Sequence, residues 1–568
     1  MEGTRIKGLF SEVQERAKGK NIMMLKFGNL KGWDEIKKEF SVSPGKERFL
    51  DFCCAGVKIV FGLLLFMLTV ISALVTCTID EYEVTHYGND NIFSHILFAA
   101  AILGILIVCR HIRAAMRGGW LERVFRDLTK GLDFCRIVIA FHFILGILWV
   151  VSTLVQADVD QWNCADIASR QMFPDYDFSD YMPGGYMYNY PYQTGLVLVM
   201  SLIFRFCGEM NFAAFQICNV LALLLFDICM MKITEYMESP SAKKVTLVML
   251  VLFWPILFYT VFVYGNLMGL AFGTTALFFE YRYLKKRRLR DIVISCFMIG
   301  LAVMLKTNYL IFLIAMLIFL ALDFVVTLRK RTVFYAVLAV IFYILGSTGP
   351  IALVSLQSGL DIGSGVPKIA FISMGLRESE LAPGWWSDYY HENLYKDSGY
   401  DAKVAADIAK EDIKERLKTF ADDPGYAVDF FYKKMISQWC EPTFEAFWIS
   451  RYEKGVALSG IVDNILNREL QGWLTGFLNL YQTFIYWTAL LFVFLNRKNR
   501  NIFLWLPGTA VVGGFLFHVI WEAKGQYTLS YFVLLIPYSS IAAVQVSRWV
   551  DERICPLLKR GKGQEEKE

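Results

Sequence analysis

Residues 156–172 read Q-A-D-V-D-Q-W-N-C-A-D-I-A-S-R-Q-M, residues 181–196 read Y-M-P-G-G-Y-M-Y-N-Y-P-Y-Q-T-G-L, and residues 204–208 close the stretch as F-R-F-C-G. The stretch starts where one apolar run (137–155) ends and finishes inside the next (194–207). Between them lie Asp158, Asp160, Asp166, Asp175, Asp177 and Asp180, with Arg170 as the only strong base. An acidic loop that opens at the water edge of an apolar helix is either a topology marker or an active site. The rest of the chain decides which.

The composition is 56% hydrophobic and 15% aromatic. With many apolar runs near the ~20 residues that cross a bilayer, this excludes a soluble globular protein. Bundled helices satisfy their backbone across such runs; a barrel would show short alternating segments instead. The expected class is therefore an all-α polytopic membrane protein. Residues 1–54 are polar and mixed in charge, and no cleavable signal peptide is expected ahead of the first apolar run. The twelve cysteines form no CxxC pair or Cys/His cluster, so no metal site is assigned.

Charge orients the runs. Those at 56–77 and 92–109 flank D-E-Y-E-V-T-H-Y-G-N-D (80–90), which lacks Lys and Arg, and are followed by the basic loop R-H-I-R-A-A-M-R-G-G-W-L-E-R-V-F-R (110–126). The positive-inside rule puts the basic loop in the cytoplasm, so the run at 137–155 travels outward and the Asp160 loop is external. Basic segments at 281–290, 327–332, 495–501 and 548–562 also read as internal. Further runs occur at 211–231, 245–262, 267–280, 291–305, 308–326, 333–354, 476–495, 502–519 and 527–547, giving 12 or 13 apolar helices with both termini inside. The run at 194–207, short and carrying Arg205, is the weakest span. The expected division is a cytoplasmic arm (1–54), two N-terminal helices with the basic loop (55–134), a membrane core (135–354) with an external loop (156–193), an external segment (355–475), C-terminal helices (476–548) and a basic tail (549–568). Within the external segment, 401–420 has amphipathic helical spacing and ends at Asp423-Pro424-Gly425. A helix over 426–439 is expected along the membrane surface, with Trp439 at the interface.

Asp158-Val-Asp160 is a D-x-D pair, which in soluble sugar-nucleotide transferases holds a divalent metal. Nucleotide sugars are cytoplasmic and this pair reads as external, and no third ligand is identifiable, so a cation stays an open question. A carboxylate at the lipid boundary is partly desolvated, which raises its proton affinity and suits a general base. Lys306 interrupts an apolar stretch, where a cation is costly and has a partner or snorkels to the surface. Aromatic residues crowd the outer loops, among them Trp162, Tyr186, Tyr188, Tyr190, Trp385, Trp386 and Trp448. His391 reads as an ordinary loop histidine.

Asp160-Gln161 opens the external loop and is followed by Ala165 to Arg170, Tyr188-Asn-Tyr190-Pro191 and Phe206-Cys-Gly208. F-V-Y-G-N (262–266), M-L-K-T-N-Y (304–309), K-M-I-S-Q-W-C-E-P-T (434–443) and W-E-A-K-G-Q-Y (521–527) continue the series over about residues 135 to 548. In its order and spacing this series resembles the multi-membrane-spanning, lipid-phosphosugar-dependent glycosyltransferases, near the protein O-mannosyltransferase branch and its bacterial relatives. The cysteine in F-C-G and the two extra N-terminal helices depart from that pattern. The resemblance implies a polyprenyl-phosphate-linked monosaccharide as donor and a single inverting displacement, with hexosyl or pentosyl transfer to a hydroxyl of a protein, lipid or glycan acceptor. It also implies an enzyme in a bacterial plasma membrane, working on the outer face among membrane lipid, with no role for nucleic acid and no firm cofactor. Asp160 is the candidate base, with Asp158 or Asp166 as alternatives. Lys306 is the first candidate for the phosphate, ahead of Lys524, Arg451 and Arg377. Tyr190, Tyr264, Asn308, Trp386 and Tyr527 are candidates for substrate contact. A lipid-linked oligosaccharide polymerase or ligase, a lipid-sugar flippase or transporter, and a membrane scaffold are the competing readings. No inverted repeat or paired broken helices support a carrier. Cys164 and Cys440, both expected outside, pose the question of a disulfide between the two loops.

Overall fold

Polar side chains and glycines, more than the apolar runs themselves, decide how these helices meet. The structure, a computed structural model, describes residues 33–115, 133–237, 240–451 and 460–553. Residues 1–32 of the polar arm, 116–132 of the basic loop and the tail beyond 553 lie outside the described residues. In chain order come α1 (Trp33–Glu39), α2 (Pro44–Leu74), a hairpin of β1 (Val75–Ile79) and β2 (Thr85–Asn89), and α3 (Ile92–Ala115). The next helices are α4 (Phe134–Thr153), α5 (Val159–Arg170), α6 (Thr194–Cys207), α7 (Phe212–Met237), α8 (Pro240–Leu252) and α9 (Trp254–Phe258). They lead into α10 (Asn266–Lys286), α11 (Leu289–Leu305), α12 (Leu310–Thr327) and α13 (Lys330–Ser358). Six shorter or amphipathic helices follow: α14 (Lys368–Gly375), α15 (Tyr390–Asp397), α16 (Ala402–Asp422), α17 (Pro424–Trp439), α18 (Ala446–Arg451) and α19 (Gly460–Asn467). The chain closes with α20 (Glu469–Leu495), α21 (Leu506–Ile520), α22 (Gly525–Phe532) and α23 (Ile536–Arg553).

This is an all-α polytopic membrane protein, and the hairpin, paired antiparallel from Val75↔Asn89 to Ile79↔Thr85, is the one sheet among the described residues. Nine described helices are long and apolar enough to cross a membrane, or ten if α8 and α9, bent by 62° at their junction, count as one span. That is fewer than the 12 or 13 read from the sequence, and the difference has physical causes. α6 has only 14 residues. α10 carries Glu280, Arg282, Lys285 and Lys286 in its second half. α11 has 17 residues. Close packing joins α11 to α13: a Cβ on Gly346 would lie 2.2 Å from the Gly300 carbonyl oxygen, and one on Gly300 would lie 2.7 Å from that of Phe342. Small residues let helix backbones approach where lipid supplies no hydrophobic drive.

Where helices break, side chains from α7 take up the freed backbone groups. Gln216 donates to the carbonyls of Val155 and Val261 at 2.8 and 3.1 Å. Asn219 donates to those of Thr260 and Phe262 at 3.2 and 2.8 Å. The end of α4 and the break after α9 are thereby tied to one helix, as buried irregular backbone at membrane depth requires.

The amphipathic helix expected at 401–420 is α16, and its start is set by Asp401, whose carboxylate accepts from the amides of Lys403 and Val404 at 2.8 and 3.2 Å. Asp401→Ala is expected to cost about 1 kcal/mol, the usual worth of an N-cap, read as faster amide exchange confined to the first turn of α16. α17 is the helix expected over 426–439, but its Trp439 is not an exposed interface residue. Trp439 is buried at 1% exposure against Phe515 of α21, because the C-terminal half of α17 packs into the bundle instead of resting on it.

Candidate active site

Five interruptions converge: the loop after α4, the approach to α6, the break before α10, the break between α11 and α12, and the turn between α21 and α22. Each contributes a polar side chain to one recess. At its edge, Asp158 precedes α5 and accepts from the Val159 amide at 2.7 Å. Val159 has φ 45°, a left-handed backbone unusual for a β-branched residue. This kink directs the next residue, Asp160, at the Tyr186 hydroxyl, which donates to Oδ1 at 2.8 Å. Gln193 donates to Tyr186 at 2.8 Å, and its own oxygen accepts from Tyr264 at 3.0 Å and from the Cys164 thiol at 3.0 Å. The Val263 amide donates to Gln161 at 3.1 Å. Loop, α5 and the break before α10 thus form one network.

Lys306 faces the same recess. Its ammonium donates to the Asn266 amide oxygen at 2.6 Å and lies 5.0 Å and 4.9 Å from the ring centroids of Tyr264 and Tyr527. The backbone carrying it is pinned by two glycines. A Cβ on Gly195 would stand 2.2 Å from the Met304 carbonyl oxygen, and one on Gly265 would stand 2.1 Å from that of Leu305. Neither glycine has a left-handed backbone, so the requirement is for space alone. Gly265→Ala is expected to cost about 1–3 kcal/mol by overpacking and to weaken binding of a phosphate-bearing ligand at Lys306. Thermal melting and ligand titration on the same preparation check both effects.

Asp160 is open to solvent while protein closely surrounds it. Desolvation raises its carboxyl above the ordinary range, against the Tyr186 hydrogen bond and the charges of Lys524 and Lys306, which favour ionisation. Lys306, just ahead of the span that starts at Thr307, is pulled down to about 7 by burial, in spite of Glu445, Glu522 and Asp160 nearby. Burial pushes Glu522 up to about 7 and Glu445 up to about 8. Lys524 stays charged: burial opposes its ammonium, but Glu83, Glu445 and Glu522 together hold it above its usual value.

Of the sequence candidates, the structure brings together Asp160, Lys306, Lys524, Tyr264 and Tyr527, and the Tyr527 hydroxyl donates to Glu522 at 3.5 Å. Asp158 caps α5. Asp166 is engaged with Arg170 at 2.8 Å, and Arg170 also reaches Asp180 at 2.8 Å. Arg451 binds the Leu466 carbonyl and Gln471 at 2.8 and 2.6 Å. Arg377 pairs with Asp412 at 3.3 Å and lies over Tyr390. Asn308 joins the Lys306 break, where its carbonyl accepts from Tyr531 at 3.3 Å. Trp386 packs edge-on against Tyr389 and belongs to the apolar cluster around Tyr190. The Tyr190 hydroxyl lies between His391, 2.8 Å away, and Glu392. His391, read as an ordinary loop residue, is therefore buried against a candidate tyrosine; its ring is pulled down to about 4 by burial.

Sequence reading did not assign Gln193, Asn266, Glu445, Glu522 or Glu83 to this recess. Asn266 and Glu522 stand inside quoted motifs. Glu83 had only its place in a stretch without Lys or Arg. The loop-to-loop disulfide is not formed: Cys164 donates to Gln193, and Cys440 is packed beside Cys77, whose amide donates to the Cys440 carbonyl at 3.2 Å. Among the described residues no cluster of His, Cys, Asp and Glu is suited to a metal ion.

No protein-family model and no curated protein matches the chain. Solved structures similar to it include the archaeal oligosaccharyltransferase AglB from Archaeoglobus fulgidus in complex with an inhibitory peptide and a dolichol-phosphate, at TM-score 0.40 and 13% identity over 76% of this chain and 52% of that one. The Archaeoglobus fulgidus oligosaccharyltransferase tethered to an acceptor peptide gives TM-score 0.39 and 14% identity over 74% and 50%. The chain spans about half the length of these proteins.

Proposed function

We propose that this chain is a membrane glycosyltransferase that moves a monosaccharide from a polyprenyl-phosphate donor to an acceptor hydroxyl on the outer face of the membrane. The observation that carries this reading is one carboxylate and one lysine sharing a recess at the ends of membrane helices. Asp160 is held by a phenol, and Lys306 donates to an amide oxygen instead of a carboxylate. The sidedness rests on the basic segments of the sequence.

The chemistry follows from what each group offers. Asp160 accepts the proton of the acceptor hydroxyl as its oxygen bonds to the anomeric carbon. The bond from that carbon to the phosphate oxygen breaks, its electron pair leaves on the phosphate, and Lys306 stabilises the added charge. Attack opposite the leaving group inverts the anomeric centre. A base whose proton affinity is raised by desolvation suits this step, because transfer is most efficient when its pKa approaches the working pH. A cation fixed before the reaction stabilises the departing charge without reorganising. Membrane lipid accommodates the polyprenyl tail, and the acceptor is a protein, lipid or glycan hydroxyl.

The test uses the purified chain in lipid nanodiscs with a panel of labelled polyprenyl-phosphate hexoses and pentoses. Release of polyprenyl phosphate that depends on Asp160 supports the reading. Absence of release across the panel, with acceptor extracts present, overturns it.

A further inference from the structure

The hairpin carried by the two N-terminal helices ends inside the recess. Its turn is drawn tight by Asp80, whose carboxylate accepts from the amides of Tyr82 and Val84 at 2.9 and 3.0 Å. Glu83 has φ 67°, a left-handed conformation uncommon for a residue other than glycine. The hairpin is anchored on both strands: Cys77 donates its amide to the Cys440 carbonyl at 3.2 Å, and Thr85 donates amide and hydroxyl to the Leu381 carbonyl at 3.0 and 2.9 Å. So held, Glu83 forms an ion pair with Lys524, their side chains 12% and 13% exposed. The Lys524 ammonium also lies 5.8 Å and 5.5 Å from the ring centroids of Trp385 and Trp448. A carboxylate from one end of the chain thus occupies a lysine from the other.

We infer, on the reading of the chain as a lipid-phosphosugar transferase, that Glu83 is a specificity-determining residue: by holding Lys524 it leaves Lys306 as the cation for the donor, so the recess selects a monophosphate linkage over a diphosphate. The argument is one of charge. A diphosphate carries at least one more negative charge than the monophosphate and needs a second cation to match it. Lys524 is the second cation within electrostatic reach of Lys306. Its charge is met by Glu83, with Glu445 and Glu522 close by, so an additional phosphate there meets carboxyl groups. Selectivity of this kind comes from opposing the wrong ligand as much as from attracting the right one.

Binding of a short-chain prenyl phosphate and the matching prenyl diphosphate to the full chain in nanodiscs tests this. Wild type is expected to prefer the monophosphate. Glu83→Gln is expected to shift the ratio toward the diphosphate by about tenfold or more, the scale of one added charge-assisted contact. Glu83→Asp keeps the charge and is expected to keep the wild-type preference. Glu83→Gln combined with Lys524→Gln removes the freed cation, so the diphosphate gain of the single variant is expected to disappear and the ratio to return to the monophosphate side. An unchanged ratio in folded Glu83→Gln overturns the inference, as does a wild type that prefers the diphosphate. Loss of monophosphate binding in the double variant overturns it as well, since Lys524 would then be a donor ligand. Binding of neither probe by wild type overturns the transferase reading itself.

Discussion

Asp160→Asn is expected to lower turnover by ~10²-fold or more, the scale of losing a positioned general base, while protein yield, melting and donor affinity stay near wild type. The amide keeps the volume of the side chain and an oxygen for the Tyr186 hydroxyl, so the network through Gln193 survives. What disappears is the capacity to take a proton. Asp158→Asn is the informative partner, because asparagine caps a helix as well as aspartate does and Asp158 is occupied with the Val159 amide. Near-wild-type turnover is therefore expected in Asp158→Asn. The opposite pattern, with Asp160→Asn active and Asp158→Asn dead, would move the base to Asp158.

Lys306→Met is expected to weaken binding of a polyprenyl phosphate by about 10- to 100-fold, the worth of one hydrogen bond to a charged group, with melting little changed because methionine fills similar space. The pH dependence adds a sharper signature. The proposed mechanism requires ionised Asp160 and charged Lys306, so kcat/KM should rise as pH passes the elevated Asp160 value and fall as it passes about 7, where Lys306 loses its proton. Lys306→Arg keeps the charge at all relevant pH and should move the alkaline limb upward. A shallower decline should remain as Glu522 and Glu445 ionise at about 7 and about 8. An alkaline limb that stays in place in Lys306→Arg would remove Lys306 from that role.

Much of this was legible because a charge near lipid is costly and therefore conspicuous. Asp160 at a helix end and Lys306 within an apolar stretch stand out in the sequence for that reason alone. The helical class follows from the runs, but their number does not: α10 buries Glu280 and Lys285 within the protein, and a run of apolar residues does not reveal that its charged end is covered. Trp439 shows the same limit, since an aromatic residue near a membrane surface reads as an interface anchor until α21 is known to cover it. The arginines Arg377 and Arg451 look alike in sequence to a phosphate ligand and find their partners, Asp412 for one and Leu466 with Gln471 for the other, only in the folded chain. Glu83 was the least legible. Its role depends on a hairpin turn and a partner 441 residues away, and no local pattern encodes either.

The glycines at 195 and 265 have a consequence for how such a reaction centre can change. They place the backbone of the Lys306 break by main chain pressed on main chain, while the Asn266 side chain holds the ammonium. The aromatic and acidic walls around it come from other segments, including those between residues 355 and 451. On the proposed reading, a lineage could alter which sugar fits, or which acceptor docks, by exchanging residues in those walls while the backbone at Lys306 stays in place.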